Sequence, residues 1–320
     1  MKKNPNPNTT ARTMISLPPR MKVFERGWLS SNCVLFDDDS GATLIDTGFT
    51  SHAEQTLALV LHALDRHRTP KLRRILNSHL HSDHCGGNAL IAKRTGSEVV
   101  IPEGNSYAVR NWDHRLLTFE STGQPCARFD FTDTLSPGDV LTMGGLEWEV
   151  LAAPGHDVDS VMFHCEAEGI LISADALWED GSGAIFPSAN PKTLDEDFAA
   201  AFETLGLVDT LDVRVVIPGH GPPFTDVDGA VARARSRMKY LSGNRAKNGR
   251  HVVKVLLKYR LLDERRMSIE DVVTMFRDVP VIGLANRDIK LPYKDLAHRT
   301  IDDLVRVGVA RVEDGVLVDV

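Results

Sequence analysis

Apolar and polar positions along this chain fall into two regimes. Up to about residue 225, apolar residues come in short runs broken by Gly, Pro and Asp, which is the pattern of strands joined by turns. Strands are predicted at 21–28, 32–37, 42–46, 73–78 and 98–102. A helix is predicted at 52–66, where Leu57, Val60, Leu61 and Leu64 recur at helical spacing. Between 130 and 175, Gly144-Gly145 and Glu166-Ala167-Glu168-Gly169 punctuate two hairpin-like strand pairs. A helix near 194–207 precedes the apolar run Val213-Arg214-Val215-Val216-Ile217. From Asp226 the pattern turns helical, with helices at 228–247, 252–262 and 268–276, the last capped by Ser268. After a Pro-marked linker come a helix at 293–305 and a hairpin around Glu313-Asp314.

Length and composition narrow the class. The chain has 320 residues, 42% of them hydrophobic, and a formal net charge of −7, which suits one large domain with a small appendage. Residues 1–19, rich in Asn and Pro, read as a disordered or wrapping tail; 20–225 form the main domain and 226–320 a helical module. No apolar stretch follows Lys2-Lys3 as a secretion signal would, and no run approaches the roughly 18 apolar residues that span a bilayer. The expected location is the cytoplasm, with no membrane partner. Cys33, Cys85, Cys126 and Cys165 form no C-x-x-C pair, so neither a zinc ribbon nor a disulfide framework is expected. Cys85 reads as a space-filling residue.

Chemistry concentrates in Ser78-His79-Leu80-His81-Ser82-Asp83-His84. A buried run, Arg74-Ile75-Leu76-Asn77, ends just before it, and Gly86-Gly87 opens a helix just after it. The cluster therefore sits on a strand-to-helix loop at a sheet end, where concave sites form in layered α/β proteins. Imidazole and carboxylate together suit zinc, iron or manganese. His79 and His81 are spaced to share one ion, while Asp83 and His84 point elsewhere and fit a second. Further donors follow other apolar runs: His156 in Pro154-Gly155-His156-Asp157, Asp175 after Ile170-Leu171-Ile172-Ser173, and His220 in Pro218-Gly219-His220-Gly221. A closed tetrahedral structural site needs only four donors. This larger set implies two ions with open positions.

The H-x-H-x-D-H run, the later P-G-H, the strand-end Asp and the final P-G-H-G resemble the metallo-β-lactamase fold superfamily, over about residues 20 to 225. Asp46-Thr47-Gly48 matches a further family element. The resemblance implies an αββα sandwich with a dinuclear site at one edge. It implies that His79, His81 and His156 hold one metal, that Asp83, His84 and His220 hold the second, and that Asp175 bridges them. It also makes Asp46 a residue that fixes a ligand by a hydrogen bond. The expected cofactors are two divalent ions, zinc first, with iron or manganese as alternatives. The expected reaction is hydrolysis of a small ester, thioester or lactone by a hydroxide shared between the ions, with Asp83 orienting it and moving a proton. Flavo-diiron relatives carry Glu where this chain has His81, which favours hydrolysis. The carboxylate of Asp175 stands where many true β-lactamases carry Cys or Ser, and so looks more like glyoxalase II. Trp178 stands where lactonases of the superfamily carry a Tyr; it and Trp28 are expected to wall the substrate pocket.

The segment after 226 reads as helix–helix–helix–hairpin and resembles the winged-helix-like module of the β-lactamase-like endoribonuclease branch. Between Val231 and Arg266 there are twelve Lys or Arg against two acids, a charge of +10. A basic helix beside a metal site binds phosphates in some proteins, but most charge runs are solvated or interface surfaces. A small-molecule substrate is therefore the expected partner. Single-stranded RNA cleavage is the second reading, persulfide dioxygenation with one iron on His79, His156 and Asp175 the third, and a homo-oligomer is open.

Overall fold

The computed structural model describes residues 15–67 and 71–320. Most of the expected N-terminal tail, residues 1–14, lies outside these described residues. Within 15–19, Leu17 packs against the core between the two main sheets.

The first sheet has six strands in chain order: β1 (Met21–Phe24), β2 (Cys33–Phe36), β3 (Ala42–Ile45), β4 (Leu72–Leu76), β5 (Glu98–Pro102) and β6 (Asp133–Leu135). β1, β2 and β3 pair antiparallel; β3 to β6 pair parallel. The second sheet takes β7 (Val140–Met143), β8 (Leu146–Ala152), β9 (Val161–Cys165), β10 (Ile170–Ala174) and β11 (Val215–Pro218). Its two hairpins turn where the glycine and Glu166–Gly169 signals fall. Only β10 and β11 are parallel neighbours.

Side chains alternate across each strand, and in β2, β3, β9 and β10 both faces are buried, which is why these strands read as unbroken apolar runs. Val34, Phe36, Ile45, Leu76 and Val100 meet Trp148, Val150, Phe163, Ile172 and Ile217 between the sheets. The intervening residues Leu35, Leu44, Ile75 and Ile101 face outward to α1 (Ala53–His67) and α3 (Asn88–Thr95), beyond the one-turn α2 (Ser82–Cys85). In α1, Leu57, Val60 and Leu64 are buried, but Leu61 faces solvent at 48% exposure, off the apolar stripe. Two short helices, α4 (Ser106–Asn111) and α5 (Phe119–Thr122), follow β5. On the far side, Met162, Leu171 and Val216 pack under α6 (Pro191–Val208) and α7 (Val227–Ser242). The layers are thus αββα, as the resemblance implies.

α7 contributes Ala230, Val231, Ala234 and Met238 to that outer layer. The expected single helix at 228–247 is in fact broken. Asn244 adopts an extended conformation and its side chain accepts from the Lys247 amide at 3.0 Å, capping a new helix, α8 (Arg245–Glu264). With α8 begin β12 (Arg266–Ser268), α9 (Ile269–Asp278), α10 (Pro280–Ile289), α11 (Tyr293–Arg306), β13 (Ala310–Glu313) and β14 (Val316–Asp319). These share their own apolar cluster, separate from the one that holds α7. Ser268 caps α9, accepting from the Asp271 amide at 3.0 Å. The expected Pro-marked linker is helix α10. Pro280 sits in its first turn, where its missing N–H costs nothing, so this proline starts a helix instead of stopping one. The terminal hairpin gains β12 as a third, antiparallel strand.

Trp148 is fully buried between the sheets, edge-on to Phe36 at 5.0 Å, with its indole N–H donating to the Met143 carbonyl. Trp148→Ala is expected to lower unfolding free energy by about 3–5 kcal/mol, read from the denaturant midpoint. A loss below about 1 kcal/mol would contradict this packing.

Candidate metal centre

The site forms where β3, β4, β8, β10 and β11 stop at the same edge of the sandwich. After β4, the chain turns through Asn77 to His81 into α2, and Asp46-Thr47-Gly48 fastens that loop. Asp46 Oδ1 accepts from the Ser78 amide at 2.9 Å, and its Oδ2 accepts from Ser78 Oγ and from His84 Nδ1, each at 2.7 Å. The Thr47 hydroxyl reaches the His84 carbonyl and Asn88. Asp46 has φ of 57°, a left-handed conformation that an Asp side chain tolerates, and Ala174, just before Asp175, has φ of 45°. Two glycines permit the close approach: a Cβ on Gly219 would lie 2.1 Å from Asp175 Oδ1, and one on Gly183 would lie 2.4 Å from His156 Nδ1.

All seven donors named from the sequence come together, in two groups. His79, His81 and His156 form one; Asp83, His84, Asp175 and His220 form the other, and within each the ligand atoms lie within 4.8 Å of one another. In the first, His81 Nδ1 lies 3.1 Å from His79 Nε2 and 2.8 Å from His156 Nε2. His156 Nδ1 donates to the Ala184 carbonyl at 2.7 Å, which leaves the Nε2 lone pair facing the group. In the second, His220 Nε2 lies 3.0 Å from Asp83 Oδ2. Asp175 faces both groups: Oδ2 is 3.4 Å from His156 Nε2, and Oδ1 is 3.2 Å from His84 Nε2.

This donor set fits a pair of divalent cations. His84 Nε2 is buried and, apart from its ionic neighbours Asp175 and Asp83, has no hydrogen-bond partner among the described residues. Since Asp46 occupies its Nδ1, the neutral ring offers a bare lone pair to a cation. Burial, then the neighbouring imidazoles of His84 and His81, push His79 well below the ordinary histidine range. Burial and His81 pull His156 to about 4. His84 goes the other way. Burial lowers it, but Asp175, Asp46 and Asp83 outweigh burial and raise it well above 6.5. Asp83, despite burial, is lowered to about 2 by His84 and His220. Neutral imidazoles in the first group and the ionised carboxylates of Asp83 and Asp175 suit a metal, while His84 must give up its proton to bind one.

Two tryptophans pack beside the second donor group. Trp28, 53% exposed, stacks on His220 with centroids 5.5 Å apart and planes 5° apart. Trp178 packs edge-on to both Trp28 and His220, and its indole N–H donates to Asp175 Oδ1 at 3.2 Å. Cys85 is buried, contacts the Leu80 carbonyl and Cys126, and stands in neither donor group. Three contributors were not anticipated. Asp157 lies 3.9 Å from the outer nitrogen of His81; its position directly after His156 was the available signal. Phe186 packs against His81 and His156. Tyr259, from α8, places its hydroxyl 3.1 Å from Asp83 Oδ2 and 3.2 Å from His220 Nε2. Burial and the two carboxylates, Asp83 and Asp175, keep that phenol protonated.

Comparison with known proteins agrees with this geometry. The family model described as Metallo-beta-lactamase superfamily matches residues 26–220. A hydroxyacylglutathione hydrolase of Rhodopseudomonas palustris (strain BisB18) is 32% identical over 158 residues, 49% of this chain and 52% of that protein. One from Idiomarina loihiensis is 28% identical over 150 residues, 47% of each. The chain thus spans about half the length of the curated relatives it matches. Among solved structures, a metallo-beta-lactamase family protein from Thermus thermophilus aligns with a TM-score of 0.60 at 19% identity, covering 94% of this chain and 99% of that one. A beta-lactamase domain protein from Burkholderia ambifaria aligns with a TM-score of 0.58 at 22% identity, covering 96% and 95%. At these identities the two structures speak for the fold alone.

Two outcomes test the electrostatics. His84 is held above 6.5, so it is protonated at neutral pH in metal-free protein and must release that proton to bind a cation. Zinc affinity is therefore expected to rise with pH above 6.5, by up to about tenfold per unit, in competition against a pH-insensitive chelator; a flat profile would contradict the assignment. Asp46→Asn, which weakens the hold on His84 and Ser78, is expected to lower zinc affinity about 10–100-fold while the chain stays folded by circular dichroism.

Proposed function

The chain belongs to the metallo-beta-lactamase superfamily, and from that membership we propose that it is a dinuclear-metal hydrolase of a small thioester or ester. The observation that carries the reading is Asp175, whose two oxygens face the two donor groups separately. A structural metal site has no use for a shared carboxylate and a second set of ligands. In this reading His79, His81 and His156 hold one ion, Asp83, His84 and His220 the other, and Asp175 both. The two cations, zinc by preference with iron or manganese as alternatives, supply Lewis acidity toward the substrate carbonyl and a water acidified toward neutrality.

The chain's own residues do the rest. Asp83 orients the attacking water by accepting its hydrogen bond and carries a proton to the leaving group. Asp46 and Ser78 fix the His84 ring, and the Ala184 carbonyl fixes that of His156. Trp178 steadies Asp175 through its indole N–H. Trp28 and Trp178 on one side and Phe186 on the other wall the opening, exclude water and receive apolar parts of the substrate. Relatives named as hydroxyacylglutathione hydrolases favour a thioester over the other small acyl substrates.

Small-molecule turnover is also favoured over RNA cleavage by what the basic segment does. Arg233, Arg235, Arg245, Lys254, Lys258, Arg260, Arg265 and Arg266 each pair with an Asp or Glu. Those acids offset much of the positive charge that phosphates would need. Among the described residues, no helix is long and apolar enough to cross a membrane.

Purified protein is expected to hold two divalent ions per chain by mass spectrometry and to hydrolyse acyl thioesters. Asp175→Ala is expected to lower kcat at least about 100-fold, together with metal content. One iron per chain with no thioester turnover would contradict the proposal.

A further inference from the structure

α8 packs in the apolar cluster of the last helices and strands, yet it reaches the second donor group. Loops of the sandwich grip it at three points. Asn248 donates to the Ile185 carbonyl at 2.9 Å, Arg260 donates to the Gly123 carbonyl at 2.6 Å, and Asp263 accepts from Ser51 at 2.7 Å. Tyr259 lies within this clamped stretch. Its hydroxyl donates to Asp83 Oδ2 at 3.1 Å and stands 3.2 Å from His220 Nε2.

The other two carboxylates of the centre each have a donor of their own. Ser78 serves Asp46, and the Trp178 indole serves Asp175. The Asp83 side chain has two neighbours within hydrogen-bond reach, His220 Nε2 at 3.0 Å and the Tyr259 hydroxyl. These two differ in kind. An imidazole nitrogen that ligates a cation carries no proton, so His220 Nε2 cannot bind an ion and also donate to Asp83. The ring proton then sits on His220 Nδ1, which is buried without a hydrogen-bond partner among the described residues. With the second group filled, Tyr259 is the one protein donor, among the described residues, that the Asp83 side chain keeps. A carboxylate oxygen can serve both, with one lone pair toward a cation and the other toward the hydroxyl. The terminal torsion of Asp is broad, so a single well-placed donor decides how the group is turned.

Resting on the dinuclear reading above, we propose that Tyr259 is a positioning residue: its hydroxyl fixes the Asp83 carboxylate in the orientation that ligates the second cation, so a helix outside the sandwich completes the metal centre. Ligating carboxylates depend on such partners for their geometry. Tyr259 acts through Asp83 and takes no part in making or breaking bonds.

The test titrates the zinc-loaded full chain with a chelator at fixed pH and reads each group separately from zinc-edge anomalous peaks in crystals. Tyr259→Phe removes one oxygen and keeps the ring. In that variant the ion among Asp83, His84 and His220 is expected to leave at about 10–100-fold less chelator than in the wild type. The ion among His79, His81 and His156 is expected to leave as it does in the wild type, and the melting temperature of the metal-free chain to stay the same. In an Asp83→Ala background, Tyr259→Phe is expected to change neither ion, because no carboxylate is left to hold. With both groups kept filled by excess zinc, kcat for an acyl thioester is expected to fall roughly tenfold in Tyr259→Phe with KM unchanged. A second ion held as tightly as in the wild type, equal loss from both groups, or the same loss without Asp83 would overturn the role of Tyr259 and leave the hydrolase reading standing. Selective loss of the second ion, with no thioester turned over by the wild type, would uphold that role and sink the hydrolase reading.

Discussion

A carboxylate at the end of β10, held between two sets of imidazoles, is the constraint around which the rest of the protein is arranged. Burying an ionised Asp is costly unless opposite charge or hydrogen bonds replace its water. Asp175 has the imidazoles of His84 and His156 and the indole of Trp178 as neighbours. Reaching that position requires a left-handed Ala174 and a bare Gly219, both unfavourable in an ordinary strand end. Such concessions persist where surrounding structure enforces them, and here two packed sheets do so.

The sandwich turns scattered residues into one site by a simple rule. Parallel strands place their C-terminal ends at one edge, and each donor loop leaves from such an end. Asp46 follows β3, the His79–His84 cluster follows β4, Asp175 follows β10 and His220 follows β11. The core between the sheets fixes the strand ends, and the Asp46–Ser78–His84 hydrogen bonds fix the side chains. Precision at the site is thus inherited from packing far from it.

Much of this was legible in the sequence, because each donor sits just past an apolar run of strand length. His79, His81, Asp83, His84, His156, Asp175 and His220 all announce themselves this way, and the structure brings them together in two groups. What stayed hidden depends on tertiary contact. Tyr259 lies 176 residues from Asp83 in an ordinary amphipathic helix, with no local pattern to mark it. Phe186 lies in a loop without periodicity. α10 was masked by prolines, which end helices and also begin them. For the basic run after Val231 a phosphate surface was the less favoured reading; what its local sequence does not show is its acidic partners, which come from distant segments, such as Asp195 for Arg245 and Asp319 for Lys258.

The shared carboxylate also yields the most direct test of the whole arrangement. Crystals of the zinc-loaded chain, measured at the zinc absorption edge, are expected to show two anomalous peaks. One belongs among His79, His81 and His156, the other among Asp83, His84 and His220, with Asp175 between them. A single peak, or peaks away from this edge of the sandwich, would contradict the dinuclear centre and the chemistry built on it.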